Sequence, residues 1–467
     1  MTTLPDSKIL LLAEQSSTFI DRHFEQSLQT LVALAKIPGI AWDAFDAREL
    51  DRSAQAVADE FSALRIFDSV TIRRGQVGDQ AGAPAVVAKR AAKNGRPQVL
   101  LYAHHDVQPP GKLEDWKTEP FQPTRTADRI FGRGVADDKA GIVAHLAALK
   151  TLMELSGGDF DLGVTLFIEG EEEAGSPSFR NFLEANRDDL AADVIIVADS
   201  GNWTTEIPAL TTTLRGLVSM VVEVSTLDHA LHSGMYGGAV PDAMMATIRL
   251  LASLHDEGGN VAVPGLVTAQ TDQLPYTQEQ LRHDAGLLSG TQTIGSGSIL
   301  ERIWGKPAIT VIGIDGQSVA MSSNTLLPSV KAKISMRIAP GQDPEHALAL
   351  LKSHLLNHVP FGARLSFGEV ELGKPFAMDD SGWSATLAKQ ALSAGWSEPS
   401  VNIGIGGSIP FIADLTEVFP AAQILVTGVE DPDSRAHSPN ESVHIESLRK
   451  AMVSEAIFLL VGNELTL

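Results

Sequence analysis

The chain has 467 residues, of which 44% are hydrophobic, so it can bury a sizeable core, and two domains are the default expectation at this length. Its 36 basic and 58 acidic residues give a net charge of -22, which argues against nucleic acid or an anionic membrane as the main partner. Cysteine is absent, so disulfides, thiol nucleophiles and cysteine metal ligands are excluded, and any metal must be held by His, Asp or Glu.

The beginning of the chain, MTTLPDSKILLLAEQSS, has too short an apolar run and too many polar neighbours for a secretory signal. No later stretch approaches the ~20 apolar residues that a membrane-spanning helix requires. We therefore expect a cytoplasmic protein with neither a membrane nor a nucleic acid as its partner.

Short apolar strands alternate with helices in the first half of the chain, a pattern typical of α/β domains. Residues 16–64 predict helices with intervening turns, and residues 139–155 predict a single helix. Three nearly continuous apolar runs predict strands that are buried on both faces of a parallel sheet. These runs are residues 99–103 (VLLYA), 162–168 (LGVTLFI) and 194–198 (VIIVA).

The pattern changes from residue 214 onward. Residues 215–225 and 330–340 alternate as half-solvated antiparallel strands do, and residues 242–256 predict a helix. After residue 373 a helix and a buried-type strand (AQILVTG) return, and this strand can rejoin the first sheet. We predict an α/β fold: a larger domain (1–212 and 375–467) with a mostly parallel sheet flanked by helices, and an inserted smaller α+β domain (213–374) with an antiparallel sheet.

Each of the three buried-type strands runs directly into residue types that bind metals. The first runs into His104, His105 and Asp106, the second into the acidic run at 169–173, and the third into Asp199. Ligands of open α/β sheets bind at the carboxyl ends of the strands, so we expect these groups to converge in one crevice. A solvated strand end would explain any one of them, but three together favour a metal site.

Strand alternation separates the two adjacent histidines. His104 and Asp106 are predicted to point to one face of the sheet and His105 to the other. A metal-binding imidazole usually donates its second N–H to a carboxylate, so Asp106 is predicted to orient His104. His105 is interpreted as a packed or solvent-facing histidine.

Two further acidic segments lie near these strands. Asp137 and Asp138 precede the helix at 139–155, where helix capping explains one aspartate and leaves the other free to bridge two cations. In EGEEEAGS (169–176), the chemistry needs one ligand and one carboxylate that takes a proton from water. Periodicity does not tell which glutamate faces inward, because the strand is ending, and an exposed acidic loop is the alternative.

Three later segments carry weaker signals. Taken alone, His437 is interpreted as a surface histidine and His232 as part of a turn. The glycine run at 402–410 (NIGIGGSIP) is most simply a turn, although its backbone N–H groups could hold a carboxylate or an oxyanion.

Six ordered motifs together resemble the carnosinase-type metallopeptidases, a family that also includes carboxypeptidase G, acetylornithine deacetylase and succinyl-diaminopimelate desuccinylase. The motifs are HHDVQP, FGRGVADDKAG, EGEEEAGS, LHSGMYGG, GGSIP and AHSPNE, and they span residues 104–441. The opening hundred residues carry no diagnostic motif. The VQP after Asp106, with LHSGMYGG and GGSIP, resembles the dipeptidase branch, in which the larger domain is catalytic and the insert is a lid and dimerisation domain.

The resemblance implies two divalent cations per subunit, with zinc as the expected metal and manganese or cobalt also able to serve. His104, Asp137 and Asp199 then bind one cation. Asp137, Glu173 and His437 bind the other, so Asp137 is the bridge. The family's Asp-Asp peptide is typically cis, which implies a cis bond between Asp137 and the next residue.

The resemblance also assigns roles beyond metal binding. Glu172 resembles the general base, which takes a proton from the shared water and returns it to the leaving amine, and Asp106 resembles the carboxylate that orients the first histidine. His232 resembles the histidine that reaches across a dimer interface to polarise the scissile carbonyl in the partner's site, which implies a homodimer. Three residues resemble the groups that hold the terminal carboxylate of the substrate: Arg337, Gly407 and Ser408.

We therefore expect a metal-dependent hydrolase that cleaves the amide bond of a dipeptide. One alternative is an enzyme of the same mechanism that acts on an N-acylated amino acid. A second is a non-catalytic metal-binding scaffold, against which Glu172 and His232 argue, because binding a metal needs neither. Gly404 and Ile405 replace the charged residues common before this glycine pair in carnosinases, which leaves the substrate's side chains open.

Overall fold

The computed structural model describes residues 6–407 and 409–466. The helices are α1 (Asp6–Ala35), α2 (Ala47–Ser62), α3 (Lys139–Leu155), α4 (Phe179–Ala185), α5 (Arg187–Leu190), α6 (Ser233–Tyr236), α7 (Ala243–Ala252), α8 (Gln278–Asp284), α9 (Pro344–His358), α10 (Trp383–Trp396), α11 (Pro410–Val418) and α12 (Ile445–Gly462). The strands are β1 (Ser69–Val77), β2 (Gln80–Arg90), β3 (Gln98–His104), β4 (Thr124–Arg125), β5 (Arg129–Phe131), β6 (Gly163–Glu169), β7 (Val194–Val197), β8 (Ala209–Leu214), β9 (Gly216–Ser225), β10 (Leu231–His232), β11 (Ala308–Asp315), β12 (Thr325–Leu326), β13 (Ser329–Ile338), β14 (Arg364–Gly373), β15 (Phe376–Ala377), β16 (Val401–Ile405), β17 (Gln423–Val426) and β18 (Ser442–His444).

A nine-stranded mixed sheet has the strand order β1-β2-β6-β3-β7-β17-β8-β15, with β16 also paired to β8. Its centre is parallel, because β3 pairs in parallel with both β6 and β7, and β17 pairs in parallel with β7. The strands β1, β2 and β8 pair antiparallel with their neighbours. The predicted α/β class, with flanking helices and a separate antiparallel sheet, is confirmed, but the sheet predicted to be mostly parallel is mixed and has its parallel pairs at the centre.

The predicted strands and helices correspond closely to the observed ones. The three apolar runs form β3, β6 and β7, the helix predicted at 139–155 is α3, and AQILVTG forms β17, which rejoins the sheet beside β7. These runs are almost continuously apolar because both faces of the strands are buried: all seven residues of β6 and all four of β7 are buried. The helix α8 was not predicted from the sequence, although its capping box between Thr277 and Gln280 is a recognisable signal.

The described chain divides into two compact units. The first contains residues 6–212, 378–403 and 410–466, and the second contains residues 213–377, 404–407 and 409. In the first unit, helices α1, α2, α3, α10 and α12 contribute to one hydrophobic core with the central strands. Burial of each large aliphatic side chain of this core stabilises the fold by ~1.5–3 kcal/mol. This core supports the carboxyl ends of β3, β6 and β7.

The second unit has an antiparallel sheet with the strand order β11-β13-β9-β14. In β13 every second residue is buried, as the alternating sequence predicted. The buried faces of β9 and β13 share a core with residues of α7 and α9. The predicted helix at 242–256 is α7, whose first turn is capped by Asp242 through the backbone N–H of Met245.

Among residues 6–407 and 409–466, no helix combines the length and the apolar composition that crossing a bilayer would require.

Candidate metal centre

The first unit brings the candidate ligands together at the carboxyl edge of the central parallel strands. His104 ends β3 and is paired in register with Glu169, the last residue of β6. Asp199 follows β7, which pairs with the other side of β3. Asp137 lies in the turn that precedes α3. Each strand therefore delivers its ligand at the same edge, as expected for an open α/β sheet.

The Asp137 carboxylate lies between two imidazoles. Its Oδ1 is 2.9 Å from His104 Nε2, and its Oδ2 is 3.0 Å from His437 Nε2. Glu173 Oε2 is 3.1 Å from the same His437 nitrogen. One carboxylate whose two oxygens face two different imidazoles has the arrangement that a bridging ligand needs.

Two groups of ligand atoms are compact enough to hold a cation. The first group is His104, Asp137 and Glu173, and the second is His104, Glu172 and Asp199, with all ligand atoms of each group within 4.8 Å of one another. The five predicted ligands thus lie in one cluster, and the predicted general base Glu172 lies in the cluster with them.

Burial and charge crowding govern the protonation of this cluster. Burial and the neighbouring Asp199 raise the pKa of Glu172 well above its usual value. Burial, with Asp137 and Glu173 nearby, raises the pKa of Asp199 to about 7. Hydrogen bonds to the carboxylates of Asp137 and Glu173 raise the pKa of His437 to about 11.

The residues fit a pair of divalent cations. Buried carboxylates that repel one another are stabilised when cations supply the opposite charge. A ligand set of imidazole and carboxylate suits zinc, manganese and cobalt. His104, Asp137, Asp199, Glu173 and His437 offer such a set.

Asp106 contacts both sides of the cluster. Its Oδ1 lies 3.3 Å from His104 Nδ1, and its backbone carbonyl lies 3.1 Å from the same nitrogen. Its carboxylate also accepts the backbone N–H groups of Glu172 at 3.2 Å and Glu173 at 3.0 Å. His105 points away, as alternation predicted: it is fully buried, and its Nε2 lies 2.7 Å from the Pro84 carbonyl.

The structure separates the four glutamates of the acidic run. Glu169 ends β6, where Tyr102 donates a hydrogen bond of 2.5 Å to its carboxylate, and burial raises its pKa to about 8. The Glu171 carboxylate accepts the backbone N–H of Ser178 at 2.7 Å. A 3-10 turn then begins at Glu172, so Glu172 and Glu173 face the metal cluster while the two earlier glutamates serve the fold.

The peptide bond between Asp137 and Asp138 is cis, as the resemblance implied. Helix capping was the interpretation for one of the two aspartates, and it does not describe the side chain of Asp138. Asp138 occupies the N-cap position of α3 but makes no side-chain cap bond, and its Oδ2 instead accepts the backbone N–H of His104 at 3.2 Å. The second aspartate therefore holds the end of β3.

The remaining predicted site residues belong to the second unit. His232 is exposed at the end of β10, and its Nδ1 accepts the backbone N–H of Gly234 at 3.1 Å. An accepting Nδ1 places the proton of the neutral ring on Nε2, where it can be donated. Arg337 lies in β13 beside Arg215, and Gly407 follows β16. Ser408 lies outside the described residues.

Comparison with known protein families identifies the chain. The model of peptidase family M20/M25/M40 matches residues 100–459. The chain belongs to this family. The predicted relationship to the carnosinase-type metallopeptidases and the predicted class of metal-dependent hydrolase are therefore confirmed, and the M20/M25/M40 match covers the segments that carry the whole metal cluster.

Individual relatives in the family share most of the chain. The cysteinylglycine-S-conjugate dipeptidase of Corynebacterium striatum is 33% identical over 383 residues, which cover 81% of this chain and 84% of that protein. The Beta-Ala-His dipeptidase of Rattus norvegicus is 27% identical over 92% of each chain. The crystal structure of human carnosine dipeptidase 1 shares the fold, with a TM-score of 0.77, 23% identity and coverage of 97% of this chain and 99% of that one.

Two residues that the sequence did not single out make hydrogen bonds to candidate ligands. Gln108 donates its backbone N–H to Glu173 Oε1 at 3.1 Å and its side-chain amide to Oε2 at 2.6 Å. Glu441 accepts the backbone N–H of Asp137 at 3.2 Å. Gln108 lies inside the motif HHDVQP, and Glu441 lies inside AHSPNE. The available signals were therefore a glutamine shortly after His104 and an acidic residue shortly after His437.

Proposed function

We propose that the chain is a dipeptidase that uses two divalent cations, most simply zinc, and that the first unit is its catalytic domain. The observation that carries the proposal is the Asp137 carboxylate between His104 and His437, with Glu172 beside it. The names of the two relatives, a cysteinylglycine-S-conjugate dipeptidase and a Beta-Ala-His dipeptidase, support a dipeptide as the substrate.

In the proposed reaction the chain's own residues move the proton and hold the substrate. When bound, the two cations supply Lewis-acid polarisation of the amide carbonyl and lower the pKa of a water molecule from 15.7 towards ~7. Glu172 accepts a proton from that water and delivers it to the leaving amine nitrogen. Its raised pKa supports this role, because a carboxylate of higher pKa is a stronger base towards the proton of a water molecule.

The second unit is proposed to serve as a lid and dimerisation domain in a homodimer. The partner subunit's His232 would donate its Nε2 proton to the developing oxyanion, a role that its exposure and its hydrogen bond to Gly234 N–H support. Arg337, Gly407 and Ser408 would hold the terminal carboxylate of the substrate. A cytoplasmic location stays a prediction of the sequence.

The proposal is tested by hydrolysis of a substrate panel with zinc-loaded protein. The panel contains plain dipeptides, β-alanyl dipeptides, a tripeptide, and acetyl- and succinyl-amino acids. We expect turnover of dipeptides only, and a loss of ~100-fold or more in kcat for Glu172→Gln at unchanged zinc content. Glu184→Gln, which changes an exposed ion pair with Arg180 on α4, is the matched control and should retain wild-type kcat.

Two outcomes of the panel would contradict the proposal. Turnover of acylated amino acids alone would keep the mechanism and make the enzyme a deacylase. Full activity of Glu172→Gln would show that Glu172 is not the general base, and the proposed route of the proton would then be wrong.

A further inference from the structure

A buried ion pair between Arg133 and Glu441 lies beside the metal centre and has no part in the proposed reaction. Arg133 Nη1 donates to Glu441 Oε2 at 2.5 Å, and the two side chains are 2% and 0% exposed. The pairing of β5 with β18 brings the two residues together, because Ser442 lies opposite Phe131 in this small sheet. Two segments that are far apart in sequence are therefore fixed to each other at this point.

The Glu441 carboxylate accepts four hydrogen bonds. Its Oε1 accepts the backbone N–H groups of Ala136 at 3.0 Å and Asp137 at 3.2 Å. Its Oε2 accepts the backbone N–H of Gly134 at 3.1 Å and the Arg133 guanidinium. The turn that presents the bridging carboxylate thus wraps around a single side chain, and one of the four donors is the backbone of the bridging residue itself.

The Arg133 guanidinium extends these contacts to two more segments. Its Nη2 makes long hydrogen bonds to the carbonyl of Pro109 at 3.4 Å and of Ser438 at 3.5 Å. The guanidinium also lies 5.4 Å from the centre of the Trp116 ring. Ser438 is the residue after His437, and Pro109 is in the loop that follows β3. The pair therefore contacts all three segments that surround the proposed bridge.

Stabilisation alone is a weak reason for such a pair. Taking two charges out of water costs about as much as their attraction returns, and apolar residues of equal volume often stabilise a core better. A carboxylate that accepts four hydrogen bonds instead fixes the relative positions of the groups that donate them. We propose that Arg133 and Glu441 are positioning residues that hold the Asp137 turn and the His437 loop at the separation two cations require. The inference rests on the two-cation site of the proposed function.

The inference is tested by calorimetric titration of the metal-free full-length protein with Zn²⁺. We expect Glu441→Gln to lower the affinity for at least one Zn²⁺ by ~10–100-fold, because its amide replaces an acceptor by a donor that faces backbone N–H groups. Glu441→Asp should lose affinity as well, because its carboxylate is one methylene shorter. Glu455→Gln is the control: Glu455 pairs with the buried His145 at 2.7 Å and belongs to neither group of candidate ligands, so the Zn²⁺ affinities of this variant should stay wild-type.

The possible outcomes distinguish a failure of this inference from a failure of the proposed function on which it rests. Wild-type Zn²⁺ affinities in Glu441→Gln would overturn the inference. Wild-type Zn²⁺ affinities in Glu441→Asp would overturn it too, because they would show that Glu441 only balances the charge of Arg133. Fewer than two Zn²⁺ per wild-type chain would instead overturn the two-cation site, and the inference with it. If Glu441→Gln does not fold, Arg133→Lys decides by the same criterion, because one ammonium group cannot span the contacts of the guanidinium.

Discussion

Individual carboxyl groups in the candidate centre are buried close to one another, which disfavours their ionised forms in the absence of a cation. Asp199 is the clearest case, because burial and the neighbouring Asp137 and Glu173 raise its pKa from an ordinary 3.8 to about 7. Because of this shift, ionising Asp199 in the folded protein lowers the free energy of unfolding unless a cation is nearby. The pH dependence of stability should therefore report on this residue directly.

We predict that Asp199→Asn makes the stability of the chelated protein less dependent on pH. Between about pH 4 and pH 7 the folded wild-type chain binds a proton at Asp199 that the unfolded chain has lost, so its stability falls as the pH rises through this window. The loss is on the order of a few kcal/mol, and the asparagine variant lacks it. Urea unfolding of both proteins in the presence of a chelator measures the difference, and parallel pH profiles would contradict the prediction.

At the scale of residues, the sequence predicted the chemistry better than the orientation of side chains. Strand alternation distinguished His104 from His105 because β3 extends to His104 and the backbone N–H of His105 still bonds to the carbonyl of Glu169 in β6. It could not distinguish the glutamates, since β6 ends at Glu169 and a 3-10 turn starts at Glu172, so no single period covers the run. The assignment of Glu172 and Glu173 came from family resemblance.

The turn before α3 is the element on which the centre depends most. Gly134 has φ +78°, and a Cβ there would lie 2.4 Å from Val107 Cγ1, so only glycine fits. Its N–H is also one of the four donors to Glu441. The turn is therefore closed by backbone conformation at one end and by hydrogen bonds along its length.

We predict that Gly134→Ala destabilises the protein by ~2–5 kcal/mol, because it adds a steric clash to the cost of a left-handed alanine. The matched control is Gly157→Ala, where φ is +70° but nothing lies within 4 Å of the added methyl group. It should cost only ~1–2 kcal/mol. Urea unfolding of both chelated variants gives the comparison. Equal losses of stability in the two variants would contradict the prediction, because they would show that Val107 moves to accommodate the methyl group.

Elements were predictable where their signal is local. Continuous apolar runs identified β3, β6 and β7 because both faces of these strands are buried. Alternation identified β9 and β13 because one face is buried and most of the other is only partly buried or exposed. The contacts of Glu441 with the turn at 134–137 have no local signal, because they join residues some three hundred positions apart. Only the three-dimensional pairing of β5 with β18 reveals them.

At the scale of the whole molecule, the proposed homodimer makes a prediction about mixed subunits. Glu172→Gln and His232→Ala should each be inactive alone, because one lacks the base and the other the partner's donor. Mixed dimers should recover about half of the wild-type activity per dimer, since one of their two sites combines an intact Glu172 with an intact His232 of the partner subunit. Hydrolysis by purified heterodimers is the measurement, and each unmixed variant is the control. Inactive heterodimers would show that His232 does not act across the interface.

The position of β17 in the central sheet has a consequence for synthesis on the ribosome. This strand comes from residues 423–426, yet it lies between β7 and β8, which are made more than two hundred residues earlier. Until it emerges, the apolar edge of β7 (VIIV) has no neighbour on that side, which is the condition under which nascent chains aggregate or recruit chaperones. The segment that follows β17 carries His437, so the proposed set of metal ligands is complete only after residue 437 of the nascent chain has been made.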